Sequence, residues 1–512
     1  MTRKFFVRTF GCQMNEHDSE RIAAELGGDG LERTDELEEA DVVVLNTCCI
    51  RENADNKLYG HLGHLKSLRD RKPDLQIAVA GCLAQKDRDA ILLRAPHVDA
   101  VFGTHNVSRA AGLLREARAS GRQVIEVLDA PTGDDEAFPS AMLVRPDLPY
   151  AAWVTVQVGC DNSCAFCIVP AVRGPEQSRP FGDLVAEVEA LADAGTVEVT
   201  LLGQNVNSYG RDLTTRLRRG GPETPGGGDD DGAGAASLAR LAGARWAAEG
   251  ASRARPLFAD LLRAVGAVRG IRRVRFTSPH PKDLRPETIA AMAETPAVCE
   301  QLHLPLQSGS DRVLAVMRRG YTAARYLERL AAARAAIPGL AVTTDIIVGF
   351  PGESEEDFAE TLEVAAEARY DSAYTFIFSP RPGTRAAAMT DRLLPAEVVA
   401  ERFARLKVVI DRSAIQANLA RVGRDEEVVV EGPSKKDPGI LAARTRQGKL
   451  VHFSPRAASL VPGSFATVRI GSAGPHHLAG ELIAVEEPVP PQSGSAVPVR
   501  ISPGRISPVS AP

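Results

Sequence analysis

Short apolar runs alternate with amphipathic stretches along the N-terminal part of the chain. Strands are predicted for the runs KFFVRTF (4–10), DVVVLN (41–46) and LQIAVAG (75–81). Between them the apolar spacing predicts helices, one of which covers 19–26 and another of which reaches about residue 68. This alternation is typical of a parallel sheet with crossover helices. We therefore expect an N-terminal α/β domain over residues 3–119.

A second alternating series predicts six more strands with helices between them. They are WVTVQVG (153–159), VEVTLLG (197–203), VRFTS (274–278), EQLHLPL (300–306), AVTTDIIVGF (341–350) and SAYTFIF (372–378). Such a series favours a partial (βα)6 barrel, which we assign to residues 146–411. A Gly-rich insertion at 211–253 interrupts it and is expected to be flexible, although ASLARLAGARWAAEG could form a short helix.

The pattern changes again in the C-terminal part. A charged helix around 395–422 precedes short strands separated by Gly, Pro and Lys turns, which predict a small β-barrel over 414–485. The tail 488–512 is rich in proline and is expected to be disordered. Residues from about 120 to 150 resemble a linker between the first two domains. The fold class is thus α/β with an added small β-barrel.

Charge and composition exclude some classes of protein. The net charge of −5 gives no global basic signal, so a nucleic-acid surface would have to be a local patch. No apolar stretch approaches the roughly 18 to 20 residues of a membrane span, and the N-terminus does not read as a signal peptide. We expect a cytoplasmic protein. In that compartment clustered cysteines indicate metal binding or catalysis more often than disulfides.

Three cysteines follow the first strand of the second series. Cys160, Cys164 and Cys167 have the spacing C-x3-C-x2-C in GCDNSCAFCIVP. Three thiolates on one loop can hold an iron–sulfur cluster, and with no fourth cysteine nearby one iron would stay open for another ligand. A structural zinc site is the alternative, but zinc sites favour paired C-x2-C units and no partner pair follows.

A second set of cysteines is spread over the N-terminal domain. Cys12, Cys48 and Cys82 each follow a predicted strand, at the end where an open α/β sheet gathers its ligands. The sequence therefore predicts a second cluster, and three ordinary buried cysteines are the alternative. Cys49 lies beside Cys48, but consecutive side chains leaving a strand point in opposite directions. We therefore expect Cys48 to be the ligand and Cys49 a bystander.

Both cysteine sets and the terminal barrel resemble the methylthiotransferase family of radical S-adenosylmethionine (SAM) enzymes. The resemblance covers residues 5 to about 485 except the insertion. It is carried by the stretches GCQMNEHDSE, NTCCIREN, AGCLAQKDRDA, FGTHN, GCDNSCAFCIVP, LLGQNVNSYG, RFTSPHPKD, HLPLQSGSDRVL, TTDIIVGFPGESEEDF and SPRPGT. The family usually has serine at position 49 and tyrosine at position 378, where this chain has cysteine and phenylalanine.

The resemblance implies a reaction and its cofactors. Two [4Fe–4S] clusters and SAM would attach a methylthio group to C2 of N6-isopentenyladenosine at tRNA position 37. Cys12, Cys48 and Cys82 would hold the first cluster, and Cys160, Cys164 and Cys167 the second, SAM-binding one. No residue is expected to act as an acid or base, because the chemistry is radical. The enzyme would be a monomer that depends on a sulfur donor and a reductant, neither identified by the sequence.

Further contacts are expected with SAM and with RNA. Positions at the carboxyl ends of barrel strands line the sites of such barrels, which singles out Gln204, Asn205, Gln307, Ser308 and, within its strand, Asp345. Simple loop hydrogen bonds are the alternative for each. The resemblance to a tRNA-gripping TRAM module implies RNA contacts for Lys435, Lys436, Arg444, Arg446 and Lys449. The arginines at 272, 273 and 275 could be a solvated face or phosphate contacts.

Three other functions remain open from the sequence. A sister methylthiotransferase would act on threonylcarbamoyladenosine of tRNA or on a ribosomal-protein aspartate. A non-catalytic iron–sulfur protein that binds RNA would need no SAM, and a zinc-containing RNA-binding protein would hold one or two zinc ions in place of about eight irons.

Overall fold

The computed structural model describes residues 2–49, 52–128, 148–219, 231–250, 253–455 and 459–486. The chain divides into two compact units, one over residues 1–144 with 489–512 and the other over 145–488. The predicted tail and most of the predicted linker lie outside the described residues. No helix in the described ranges has both the length and the apolar character needed to cross a membrane.

The first unit contains a six-stranded sheet in the order β2-β1-β3-β4-β5-β6. All neighbouring strands are parallel, as the alternation predicts. Its strands are β1 Lys4–Phe10, β2 Glu32–Arg33, β3 Val42–Thr47, β4 Gln76–Ala80, β5 Ala100–Phe102 and β6 Val124–Glu126. The short strand β6 lies inside the segment interpreted as a linker, and that interpretation is wrong for these residues because they pair with β5.

Among the described residues of this unit, five helices accompany the sheet. They are α1 Gln13–Gly28, α2 Glu52–Arg71, α3 Cys82–Asp87, α4 Asp89–Arg94 and α5 Ala110–Ser120, with 3-10 turns at Leu37–Glu39 and Val107–Arg109. Helix α1 buries Ile22 and Leu26, which lie on one helical face at the i, i+4 spacing. Both pack in the same core as Phe5 and Val44 of the sheet. This packing places the start of α1 directly after the end of β1.

The second unit begins with two parallel three-stranded sheets. One contains β7 Ala151–Thr155, β10 Glu198–Leu202 and β11 Arg273–Phe276, and the other contains β12 Gln301–His303, β13 Ala341–Val348 and β14 Ser372–Ile377. A parallel bridge between Val274 and Val298 joins β11 to the segment before β12. A short antiparallel pair, β8 Gln157–Val158 and β9 Gln177–Ser178, stands beside the first sheet. The six strands confirm the predicted partial barrel.

Helices pack against these sheets, and the apolar side chains of both form one core among the described residues. They are α6 Val169–Arg173, α7 Phe181–Asp193, α8 Arg211–Arg218, α9 Asp231–Ala242, α10 Ala244–Ala248, α11 Phe258–Gly266, α12 Pro286–Glu294, α13 Asp311–Val316, α14 Ala323–Ala336, α15 Glu355–Ala368 and α16 Ala396–Leu419. Short 3-10 turns lie at Val206–Ser208, Pro281–Asp283, Ala386–Ala388 and Thr390–Arg392.

The described parts of the insertion are largely helical, which confirms the helix expected for ASLARLAGARWAAEG. Helices α8, α9 and α10 fall within 211–253. The side chain of Trp246 is 1% exposed and joins the main core of this unit. Its indole Nε1 also donates to the carbonyl of Arg253 at 2.9 Å. Leu217 and Ala242 join the same core, so buried apolar side chains anchor a segment whose composition alone suggests mobility.

The C-terminal strands close into a barrel in the order β15-β16-β17-β19-β18. They are β15 Asp425–Pro433, β16 Leu441–Thr445, β17 Leu450–Ser454, β18 Phe465–Ala473 and β19 Leu478–Val485. Alternate positions such as Val428, Val430 and Val468 fill its interior, as expected for strands with one face buried. The predicted small β-barrel is confirmed.

Candidate active site

The three N-terminal cysteines lie at the carboxyl ends of three adjacent strands. Cys12 follows β1, Cys48 follows β3 and Cys82 follows β4, and these strands are neighbours in the sheet. A hydrogen bond to the Cys12 thiol and burial raise the pKa of Cys48 well above its usual range, and the Cys82 thiol contributes to the same shift. The structure therefore brings the three predicted thiols together.

A buried amide network supports this arrangement. The side chain of Asn46, which is fully buried, donates from Nδ2 to the carbonyl of Asn15 at 2.8 Å and to Ser19 Oγ at 2.9 Å. Asn15 Nδ2 donates in return to Asn46 Oδ1 at 3.1 Å. The thiol of Cys12 in turn donates to Asn15 Oδ1 at 3.5 Å. The network therefore links the end of β3 to the cysteine that follows β1.

Two glycines allow close packing around this cysteine set, one against Cys48 and one against the amide network. Gly11 has a φ of +149°, and a Cβ placed there would lie 2.4 Å from the Cβ of Cys48. Gly81 has a φ of +91°, and its Cβ would lie 2.2 Å from Asn46 Oδ1. Only glycine allows both the backbone conformation and the close approach.

Cys49 is also buried, at 6% exposed, and its charge acts on Cys48 more weakly than that of Cys12 or Cys82.

The second cysteine set lies on a loop that begins after β8. The backbone N–H of Cys160 donates to the carbonyl of Gly174, and that of Cys167 donates to the carbonyl of Cys164. Burial raises the pKa of Cys160 to about 12, and the thiols of Cys164 and Cys167 add to the rise. Burial also raises the pKa of Cys167, and the Cys164 thiol adds to that rise. The three thiols are thus within electrostatic reach of one another.

Each set offers the donors that an iron–sulfur cluster needs. Three cysteine thiols on ordered, largely buried backbone match the chemistry of cluster ligation, and a set of three leaves one iron for another ligand. Among the described residues, no three Cys, His, Asp or Glu side chains form a site that could hold a single metal ion.

A polar cavity of about 520 Å³ adjoins the second cysteine loop. Asp161 and Asn162 of that loop contribute to its wall, and Asn162 accepts a hydrogen bond from the Lys282 ammonium. Arg211 also lines the cavity and forms an ion pair with Asp283 at 2.6 Å. Glu176 also lines the cavity, and burial raises its pKa to about 7. Glu176 was not singled out from the sequence, because its neighbours come from distant parts of the chain.

The residues expected to contact SAM differ in their burial and in the hydrogen bonds that they already form. Asn205 is buried in the cavity wall, where its Nδ2 donates to Asp283 Oδ2 at 2.9 Å and its Oδ1 has no partner in the described structure. Gln204, beside it, is half-buried. Ser308 is fully buried, and its hydroxyl lies 3.3 Å from Thr361 Oγ1 and accepts the N–H of Ser310.

The other two lie on or beside β13. The Asp345 carboxylate lies 3.4 Å from the Nε2 of His303 on β12. Gln307 has a positive φ of 69° and exchanges backbone hydrogen bonds with Asp345 and Ile347. The two backbone hydrogen bonds therefore hold Gln307 beside β13 in a conformation that is strained for a residue other than glycine.

The five cations expected to contact RNA fall into two groups. Lys435 and Lys436 are exposed on the turn between β15 and β16. The other three are already paired within the second unit, with Arg444 on Glu431, Arg446 on Glu300 and Lys449 on Asp371. Of these five cations, only Lys435 and Lys436 therefore form no ion pair with a described residue.

Comparisons with known proteins agree with this geometry. Residues 4–103 match the Uncharacterized protein family UPF0004, and residues 154–365 match the Radical SAM superfamily. A tRNA-2-methylthio-N(6)-dimethylallyladenosine synthase from Nocardia farcinica is 49% identical over 94% of this chain and 89% of its own length. A synthase of the same name from Streptomyces viridosporus is 50% identical over 94% and 87%. This chain belongs to the tRNA-2-methylthio-N(6)-dimethylallyladenosine synthase family.

Membership of this synthase family confirms the resemblance found in the sequence. It also confirms the expected cofactors, since the radical SAM enzymes of this family use [4Fe–4S] clusters and SAM. Each matched region contains one set of three cysteines.

Proposed function

We propose that this enzyme attaches a methylthio group to C2 of N6-isopentenyladenosine at position 37 of tRNA, in the anticodon loop. The observation that carries the proposal is the presence of two separate three-thiol sets in a chain that matches synthases of this name over 94% of its length. We also propose that it acts as a cytoplasmic monomer. Its sulfur donor and its reductant are partners still to be identified.

In this proposal each cysteine set holds one [4Fe–4S] cluster. Cys12, Cys48 and Cys82 would ligate the first, and Cys160, Cys164 and Cys167 the second. The second cluster, when bound, supplies the electron for the reductive cleavage of SAM. The protein contributes ligands that are fixed by backbone hydrogen bonds and by the Asn15–Asn46 network, so that little rearrangement accompanies cluster binding.

Asn205 is the strongest candidate for a direct contact with SAM. Its buried Oδ1 has no hydrogen-bond partner among the described residues, and an unpaired buried acceptor is costly. An ammonium such as that of the SAM amino acid would satisfy it. Gln204, Gln307 and Asp345 remain candidates for other SAM contacts. For Ser308 the hydrogen bonds within its own loop explain the burial, and a SAM contact stays a prediction.

Three functional domains are proposed for the chain. The cluster domain would cover 3–119, the radical SAM core 146–411 and the RNA-binding barrel 414–485. Within the barrel, Lys435 and Lys436 are the best placed to contact RNA phosphates, because they are exposed and lack an ion pair in the described structure. Arg444, Arg446 and Lys449 would first have to leave their carboxylates.

Mass spectrometry of tRNA nucleosides tests the proposed reaction. A deletion strain should lack 2-methylthio-N6-isopentenyladenosine and accumulate the isopentenyl nucleoside, and the wild-type gene should restore the modification. Unchanged modification in the deletion strain would contradict the proposal. Loss of a 2-methylthio threonylcarbamoyl nucleoside or of a ribosomal-protein methylthio group instead would indicate a sister enzyme. Iron analysis after anaerobic reconstitution should give about eight irons per chain.

A further inference from the structure

The turn Met317–Tyr321 contacts the second cysteine loop through both backbone and side chain. The carbonyl of Met317 accepts the N–H of Ala165 at 2.9 Å. Arg319 Nη1 donates to the sulfur of the adjacent Cys164 at 3.3 Å. This turn follows helix α13, more than 150 residues along the chain from the cysteines. The fold therefore brings a guanidinium to one specific sulfur of the set.

Arg319 is buried in surroundings that offer it no carboxylate. The residue is only 6% exposed. The other groups that accept from it are neutral: the hydroxyl of Tyr321, 3.2 Å from Nε, and the carbonyl of Pro305, 3.4 Å from Nη2. None of the ion pairs found in the described ranges includes Arg319. A buried cation without an anion costs several kcal/mol.

Of the partners of Arg319, the sulfur of Cys164 is the one that would become an anion when a cluster binds. A cysteine ligates iron as the thiolate, and a thiolate at this position would compensate the buried guanidinium. The Tyr321 hydroxyl donates to the carbonyls of Pro305 and Leu306, at 3.0 and 2.7 Å. It therefore holds the turn in place while Arg319 points at the cysteine loop.

We propose that Arg319 is a positioning residue that holds the sulfur of Cys164 and raises the reduction potential of the second cluster. This inference rests on the proposed assignment of Cys160, Cys164 and Cys167 to that cluster. One-electron reduction adds a negative charge to the cluster. A hydrogen bond and a positive charge at a ligand sulfur stabilise that charge, so they favour the reduced state. The guanidinium would therefore make the cluster easier to reduce.

The test uses full-length protein in which only the second cluster can form. Cys12, Cys48 and Cys82 are replaced by alanine, and Arg319→Lys or Arg319→Gln is added. Arg318→Gln is the matched control, since Arg318 stands in the same turn but is exposed. After anaerobic reconstitution, iron content and the midpoint potential are measured, the latter by a redox titration followed by electron paramagnetic resonance.

We expect Arg319→Gln to shift the one-electron reduction equilibrium at least tenfold toward the oxidised cluster, which is about 59 mV. Arg319→Lys, which keeps the charge, should shift it less, and Arg318→Gln should leave it unchanged. If Arg319→Gln fails to retain iron, the Lys variant still reports the potential.

A loaded cluster whose potential is the same in the Arg319 variants and in Arg318→Gln would overturn the role of Arg319 alone. Absence of iron in the protein with native Arg319 would instead overturn the cluster assignment, and the role of Arg319 with it. The two failures are therefore distinguishable by iron content.

Discussion

The guanidinium of Arg273 is fully buried and donates to the carboxylate of Glu427, with 2.7 Å between Nη2 and Oε1. Arg273 belongs to β11 of the partial barrel and Glu427 to β15 of the C-terminal barrel. Nearby, Arg275 donates to the carbonyls of Thr445 and Arg446 at 2.9 and 2.7 Å. Charged hydrogen bonds from buried arginines of the partial barrel therefore join it to the C-terminal barrel.

Arg273→Ala should destabilise the second unit by about 2 to 3 kcal/mol, because it removes a fully buried side chain with its hydrogen bonds to Glu427 and to the carbonyl of Arg444. Arg469→Ala is the control, since it removes a β-barrel arginine whose ion pair with Asp425 is exposed on both sides, and it should cost much less because solvent screens such a pair. Urea unfolding followed by tryptophan fluorescence reports on this unit, because both tryptophans, Trp153 and Trp246, lie in it. Equal losses in the two variants would contradict the prediction.

The same arginines show what the sequence could not reveal. Apolar runs predict strands because the burial of a strand is visible in its local sequence pattern. The N-terminal cysteine set could be predicted because the carboxyl ends of adjacent parallel strands lie side by side. The partner of a charged side chain depends on tertiary packing. Arg273 and Arg275 were interpreted as a solvated face or as phosphate contacts, yet they bind the C-terminal barrel. The burial of Trp246 could not be predicted for the same reason, since composition does not show against which core an aromatic side chain packs.

The two lysines of the β15–β16 turn should contribute to tRNA affinity. The double variant Lys435→Ala, Lys436→Ala should weaken binding and reduce the slope of log affinity against log salt by about 1 per lost phosphate contact. Filter binding of unmodified tRNA at several salt concentrations measures both quantities.

Arg446→Ala is the comparison for the lysine variants. Because Arg446 is paired with Glu300 at 2.9 Å, its loss should reduce thermal stability. The double lysine variant, by contrast, should unfold like the wild type. An unchanged salt slope in the double lysine variant would contradict the RNA contact.

Gly11→Ala should disturb the N-terminal cysteine set. A Cβ at position 11 would lie 2.4 Å from the Cβ of Cys48, on a backbone with a φ of +149°, so Cys48 would have to move away from Cys12. We expect loss of about half of the iron per reconstituted chain. Gly27→Ala in helix α1 is the control, because nothing lies within 4 Å of the added Cβ. Full iron content in Gly11→Ala would show that the close approach does not matter.

Glu176 should make stability depend on pH. Burial raises its pKa to about 7, whereas a carboxyl in the unfolded chain titrates near 4.3. The protonated carboxyl therefore contributes stability that is present at low pH and is lost as pH rises toward 7. Relative to Glu176→Gln, the wild type should lose about 2 to 3 kcal/mol between pH 5 and pH 8.

Thermal unfolding of the apoprotein across that range measures the difference. Glu328→Gln, which removes an exposed carboxylate on α14, is the control for the loss of a charge. A constant difference between wild type and Glu176→Gln at all pH values would contradict the raised pKa.

The adjacent thiols at 48 and 49 should behave differently even though both are buried. Cys48 forms a hydrogen bond with Cys12, and the Cys82 thiol helps to raise its pKa. Cys49 also raises the pKa of Cys48, but less than Cys12 or Cys82 does. Cys48→Ala should therefore lose the first cluster, about four of about eight irons, while Cys49→Ser should retain both. Iron and sulfide analysis after anaerobic reconstitution measures the loss. Equal iron loss in the two variants would mean that Cys49 can take the place of Cys48 as a ligand, and that the strand-end position alone does not select between them.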